Sequence, residues 1–140
     1  MKNFLKFLAV VILTIFTCAC DSDKSVVLFN KHPFDAQTIN DSVSNTNVFK
    51  SGERIYYLVT LPKPVETKLL LIQIYKIGGD KDERYGYELV WGKRVKLRDE
   101  QKYYFTDYVV LNKEGAYVIK VYSRDNPTQI LTTGNFYIKN

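Results

Sequence analysis

The sequence predicts an all-β domain, an antiparallel β-sandwich of seven or eight strands, placed after an N-terminal export signal. Three observations predict it. Short apolar runs recur along the chain, separated by clusters of Gly, Pro, Asn and Asp, and that punctuated rhythm belongs to strands. Eleven Tyr and eight Phe are abundant for so short a chain, and aromatic side chains fit a pleated, half-buried surface. After residue 25 no stretch keeps a helical period beyond two turns.

Each element follows in order. Val26 to Phe29 reads as the first strand and ends at Asn30 and the His32-Pro33 break. Thr38 to Asn47 is a polar loop with room for one loose strand. Arg54 to Leu61 enters through the Ser51-Gly52 turn and stops at Pro62 and Pro64, because proline cannot donate to a ladder. Leu69 to Ile77 is the most apolar run and is expected at the centre of the sandwich. Gly78-Gly79-Asp80 then opens a charged hairpin turn. Tyr85 to Leu97 reads as one long strand or two, with Gly92 as the expected bulge or break. Tyr103 to Leu111, Ala116 to Ser123 and Ile130 to Lys139 complete the set, with turns at Asn112 to Gly115 and Asp125 to Pro127.

In the segment Asn112 to Ile119 (NKEGAYVI), Tyr117 stands two residues after Gly115 and opens a period-two stretch. This segment resembles the D-x-G-x-Y-x-C signature that opens strand F of immunoglobulin-like domains, with Ile119 in the place of the cysteine. The resemblance implies that the Tyr117 ring turns into the core and its hydroxyl bonds backbone at the preceding corner. It extends over residues 50–140 and implies an immunoglobulin-like sandwich without the family's disulfide. The run Phe49 to Glu53 leading into a strand, followed by a late Gly-x-Tyr strand, is also similar to macroglobulin-type and other bacterial immunoglobulin-like modules. Period two turns Tyr117, Ile119 and Val121 inward and Val118, Lys120 and Tyr122 outward. Leu58 or a neighbour is the expected apolar partner across the sheets.

The first twenty residues have a different character. Lys2 and Lys6 precede an apolar run from Phe7 to Phe16, interrupted only by Thr14; small residues and then the polar run Asp21 to Ser25 follow. That order is the one a secretory signal needs, and the apolar run is shorter than the roughly 20 residues a bilayer span takes. Thr17-Cys18-Ala19-Cys20 resembles the lipobox of bacterial lipoproteins, although Thr17 stands where the family usually has Leu. The resemblance implies a diacylglyceryl thioether on Cys20, a second acyl chain on the new N-terminus, and attachment to the membrane of the cell envelope. Ordinary cleavage after Ala19 is the other reading. The organisation expected is therefore 1–19 as signal peptide, 20–25 as lipidated tether and 26–140 as the domain.

Removing residues 1–19 from the 140 leaves 121, one domain's worth. The precursor has 20 basic and 15 acidic residues. Losing Lys2 and Lys6 leaves 18 against 15, or +3. Such a modest, interspersed charge argues against a nucleic-acid partner, as does export. With Cys18 removed and Cys20 lipidated no disulfide is available, so burial alone must hold the core.

A search for chemistry finds little. His32 is the only histidine, and its place before Pro33 fits a structural or exposed residue better than a catalytic base or zinc ligand. Asp80-Lys81-Asp82-Glu83 lacks the spaced oxygen ligands and shaped turn that calcium needs. No phosphate loop or nucleophile elbow is present. No catalytic residue, metal or cofactor is expected, and the domain reads as non-enzymatic.

The segment Tyr85 to Arg98 (YGYELVWGKRVKLR) is the candidate contact surface. Strict alternation puts Tyr85, Tyr87, Leu89 and Trp91 on one face, joined past Gly92 by Val95 and Leu97, with Arg94, Lys96 and Arg98 on the other. A functional reading makes this an aromatic or basic surface for an envelope protein, an anionic glycan or a lipid head group. The plainer reading buries the aromatics and leaves the cations solvated, where they discourage edge pairing. The expected role is a lipid-anchored binding or accessory module of the cell envelope. The alternatives are a small-ligand or glycan carrier using residues 85–98, and a purely structural surface lipoprotein.

Overall fold

A computed structural model of the protein describes residues 23–35, 45–78 and 86–140. Among these residues the chain forms β1 (Val27–Asn30), β2 (Val48–Lys50), β3 (Arg54–Thr60), β4 (Leu69–Ile77), β5 (Tyr87–Lys96), β6 (Tyr104–Val110), β7 (Gly115–Ser123) and β8 (Ile130–Lys139). A short 3₁₀ turn, Asp99–Gln101, links β5 to β6. The signal segment, Cys20 and the Asp80 to Tyr85 turn lie outside the described residues.

Two sheets pack face to face. One has three strands in the order β1-β3-β6, and the other has five in the order β2-β8-β7-β4-β5. This is an all-β, immunoglobulin-like sandwich. Two details depart from expectation. The short strand β2 is new, and it pairs parallel to the end of β8, Val48 opposite Tyr137 and Lys50 opposite Lys139. The apolar run Leu69–Ile77 forms β4 with the bounds read from the sequence, but β7 is the middle strand of its sheet.

The core lies where the inner faces meet. Ile55, Tyr57 and Val59 of β3 oppose Leu70, Ile72 and Ile74 of β4 and Tyr117, Ile119 and Val121 of β7. Leu58 points to the opposite face of β3, across from Leu28, so its neighbours Tyr57 and Val59 supply the cross-sheet contact. The Tyr117 hydroxyl donates to the Lys113 carbonyl at 2.6 Å, closing the corner as the resemblance implies. Its ring stacks on Phe136 with centroids 5.3 Å apart, and Phe29 and Phe49 join Phe136. Gly134 makes that cluster fit. A Cβ there would lie 2.8 Å from Phe29 Cε2, closer than real contacts allow.

Strand directions give the sandwich two distinct ends. β1 starts, β3 finishes and β4 starts at one end, where Val26 and Thr60 exchange backbone and side-chain hydrogen bonds. The end of β5, the end of β7 and the start of β8 share it. The start of β5, the Gly78 turn and the end of β8 lie at the other. The open side between edge strands β5 and β6 is bridged by an ion pair from Lys93 to Asp107.

Candidate functional site

The register places one side chain per strand in rows across the outer face of the five-stranded sheet, because directly opposed residues share a face. From the Gly78 end, the rows over β5, β4, β7 and β8 run Tyr87-Ile77-Ala116-Tyr137, then Leu89-Tyr75-Val118-Asn135. Next come Gly92-Gln73-Lys120-Thr133 and Arg94-Leu71-Tyr122-Ile130, with Lys96 and Leu69 at the end where β1 starts.

A β-bulge produces this arrangement. Ile74 pairs with Trp91 while Tyr75 pairs with Leu89, which leaves Val90 as an extra residue in β5. The bulged strand changes phase there. Tyr87 and Leu89 therefore share the outer face with Arg94 and Lys96, whereas Trp91 turns inward with Val95. The expectation that Tyr87, Leu89 and Trp91 share one face is thus corrected, and the bulge falls two residues before Gly92. Trp91 packs partly buried against the core, edge-on to Tyr57 at 6.5 Å. Arg98 lies beyond β5, its guanidinium 3.0 Å from Glu100. Tyr85 and Cys20 fall outside the described residues.

The outward strand positions of this sheet are aromatic and of one sign. Tyr87 and Leu89 are 57% and 53% exposed. The Lys120 ammonium sits 4.9 Å from the Tyr75 ring centroid and 4.7 Å from that of Tyr87, and the two rings meet edge to face at 6.3 Å. The Tyr75 hydroxyl bonds Gln73 Oε1 at 3.0 Å. Burial, with Tyr75 nearby, pushes the Tyr122 hydroxyl above its ordinary range. Lys50, Arg94, Lys96, Lys120 and Lys139 all point outward, and no outward strand position of this sheet is Asp or Glu. Among the described residues no carboxylate forms an ion pair with Arg94 or Lys96. At the end where β1 starts, a groove of about 350 Å³ runs between Arg94 and Arg124 over Leu71, Tyr122 and Pro127.

Lys120, Tyr122, Tyr75 and Gln73 were not singled out as site residues from sequence. A signal existed for two of them, since period two already turned Lys120 and Tyr122 outward; their neighbours on β4 and β5 are set by register. A second aromatic cluster, Tyr56 and Tyr108 with Arg54 5.0 Å over the Tyr108 ring, lies on the outer face of the three-stranded sheet. His32 is exposed, and its backbone N–H reaches Asn30 Oδ1 at 3.3 Å. No group of three His, Cys, Asp or Glu residues is placed to hold a metal among the described residues.

No family model matches the chain, and no curated protein matches it. Solved structures show a likeness of architecture. An uncharacterized protein from Bacillus anthracis str. Ames is 15% identical with a TM-score of 0.48, over 68% of this chain and 78% of that one. The PmoD soluble domain from Methylocystis sp. is 14% identical with a TM-score of 0.47, over 82% and 90%. A superoxide reductase (neelaredoxin) from Ignicoccus hospitalis is 14% identical with a TM-score of 0.46, over 67% and 76%. At these values none of them carries an activity or a ligand to this chain.

Proposed function

We propose that this chain is a non-enzymatic binding module of the bacterial cell envelope, held by lipid on Cys20, which engages an anionic partner through the outer face of its five-stranded sheet. The observation that carries this reading is the charge of the outward strand positions, of which five are Lys or Arg beside exposed aromatics and none is Asp or Glu. Complementary charge of that kind steers encounter and selects partners. The anchor rests on the lipobox resemblance and on Cys20 being the acceptor at its end.

Two experiments test the two halves. Reversing Arg94, Lys96 and Lys120 to Glu should reduce partner recovery in an in-cell crosslinking pull-down by about tenfold, the effect of roughly 1.4 kcal/mol, while leaving the melting midpoint unchanged. Full recovery from the triple variant would rule out this face. For the anchor, Cys20→Ser should move the protein out of the membrane fraction, and the intact mass of the native chain should show the lipid.

A further inference from the structure

Gly92 is a glycine the fold does not require. It sits within the ten-residue strand β5, on the outer face, opposite Gln73. Its φ is not left-handed, and an added Cβ would meet only Ile72 O at 3.7 Å and Gln73 Cγ at 4.0 Å, both ordinary contacts. The contrast with Gly134, where packing forbids a Cβ, is direct. Glycine within a strand weakens it and often marks a bulge or a place where a ligand or another backbone approaches closely; the extra residue of the bulge here is Val90, not Gly92. Gly92 also heads the one polar row of the face, Gly92-Gln73-Lys120-Thr133, which crosses four strands and so extends roughly 14 Å. Leu89 and Tyr75 flank it on one side, and Arg94, Leu71 and Tyr122 on the other.

We infer that this row is the seat of an acidic oligosaccharide, a chain of pyranose rings bearing carboxylates, laid across the strands with a ring over Gly92. The inference rests on the reading that this face is the binding face, and it names the ligand class. Three features select that class. Gln73 and Thr133 in the row and Asn135 in the next one offer amide and hydroxyl groups for sugar hydroxyls. Tyr75 and Tyr122 stand in the rows on either side and add aromatic surface suited to the C–H faces of pyranoses. The Lys120 ammonium, over the Tyr75 and Tyr87 rings, and Arg94 in the next row supply positive charge for the carboxylates, and no outward strand position of the sheet is Asp or Glu to oppose them.

The test uses the full chain in detergent micelles and measures binding of an oligogalacturonate by calorimetry. The controls are a dextran fragment of matched length, vesicles of phosphatidylglycerol and a single-stranded oligonucleotide. The oligogalacturonate should bind, more weakly as salt is raised, and the dextran should not. Gly92→Val should keep or raise the melting midpoint yet weaken oligogalacturonate binding at least about tenfold, because a β-branched side chain suits the strand and fills the seat. Lys120→Gln should weaken it without unfolding the domain. Equal binding of dextran, preference for vesicles or oligonucleotide, or unchanged affinity in Gly92→Val overturns the assignment. If oligogalacturonate fails to bind while charge reversal still abolishes partner recovery, the ligand class falls and the binding face stands. If both fail, both readings fall.

Discussion

Single side chains set much of this architecture, and Tyr117 was the most legible of them. The resemblance carried by Gly115 and Tyr117 implied a ring in the core and a hydroxyl bonded at the preceding corner, and Lys113 receives that bond. Tyr117→Phe keeps the stack on Phe136 and loses only the hydrogen bond, so urea unfolding should show a loss of about 1 kcal/mol. Asp125 was not legible, because its partners lie almost sixty residues away. It accepts from the Glu66 and Thr67 N–H groups at 2.8 and 2.9 Å. The Thr67 hydrogen bond chiefly, with these backbone bonds, holds its carboxyl below the ordinary value of 3.8. A lowered folded value means the ionised form stabilises the fold at pH above 3.8, and that contribution fades as pH falls through the lowered value. Thermal melts of wild type and Asp125→Ala should therefore differ most near neutrality, and the gap should narrow in acid below 3.8.

At the level of elements, long and strongly patterned strands were readable and short or irregular ones were not. β4 carries the most apolar run and emerged with both ends as read. β2 has three residues and exists because residues 137–139 pair with it, a partner no local pattern reveals. The bulge in β5 is the costlier omission, since it decides which aromatic faces water. Gly92 drew attention as the conformationally free residue, yet the extra residue is Val90, chosen by how β5 must meet both halves of β4. Hence strict alternation kept Tyr87 and Trp91 on one face, and neither the exposed nor the buried reading of that face places both. Deleting Val90 should restore strict alternation and force Tyr87 and Leu89, or else Trp91, out of place. We expect a loss of about 2 kcal/mol or more, the scale of removing large side chains from a core, with Trp91 emission shifting to the red. Unchanged stability and emission would show that the bulge does not set the facing.

On the scale of the whole molecule, the two sheets and the inward phase of β7 were anticipated from pattern. The outer face was only half anticipated, because it is assembled from four strands whose lateral order depends on topology. Topology has a further consequence, and it is mechanical. β1 starts at one end of the sandwich and β8 finishes at the other, so the two ends of the described chain leave in opposite directions along the strand axis. Tension between them would load the β1–β3 and β2–β8 ladders in shear, so that neighbouring hydrogen bonds share the load instead of opening singly. Forced unfolding follows the unfolding rate rather than equilibrium stability. Pulled end to end in an optical trap, the domain should resist more than when pulled across its sheets. A protein moored at one end and gripped from the other would act as a stiff link between membrane and load.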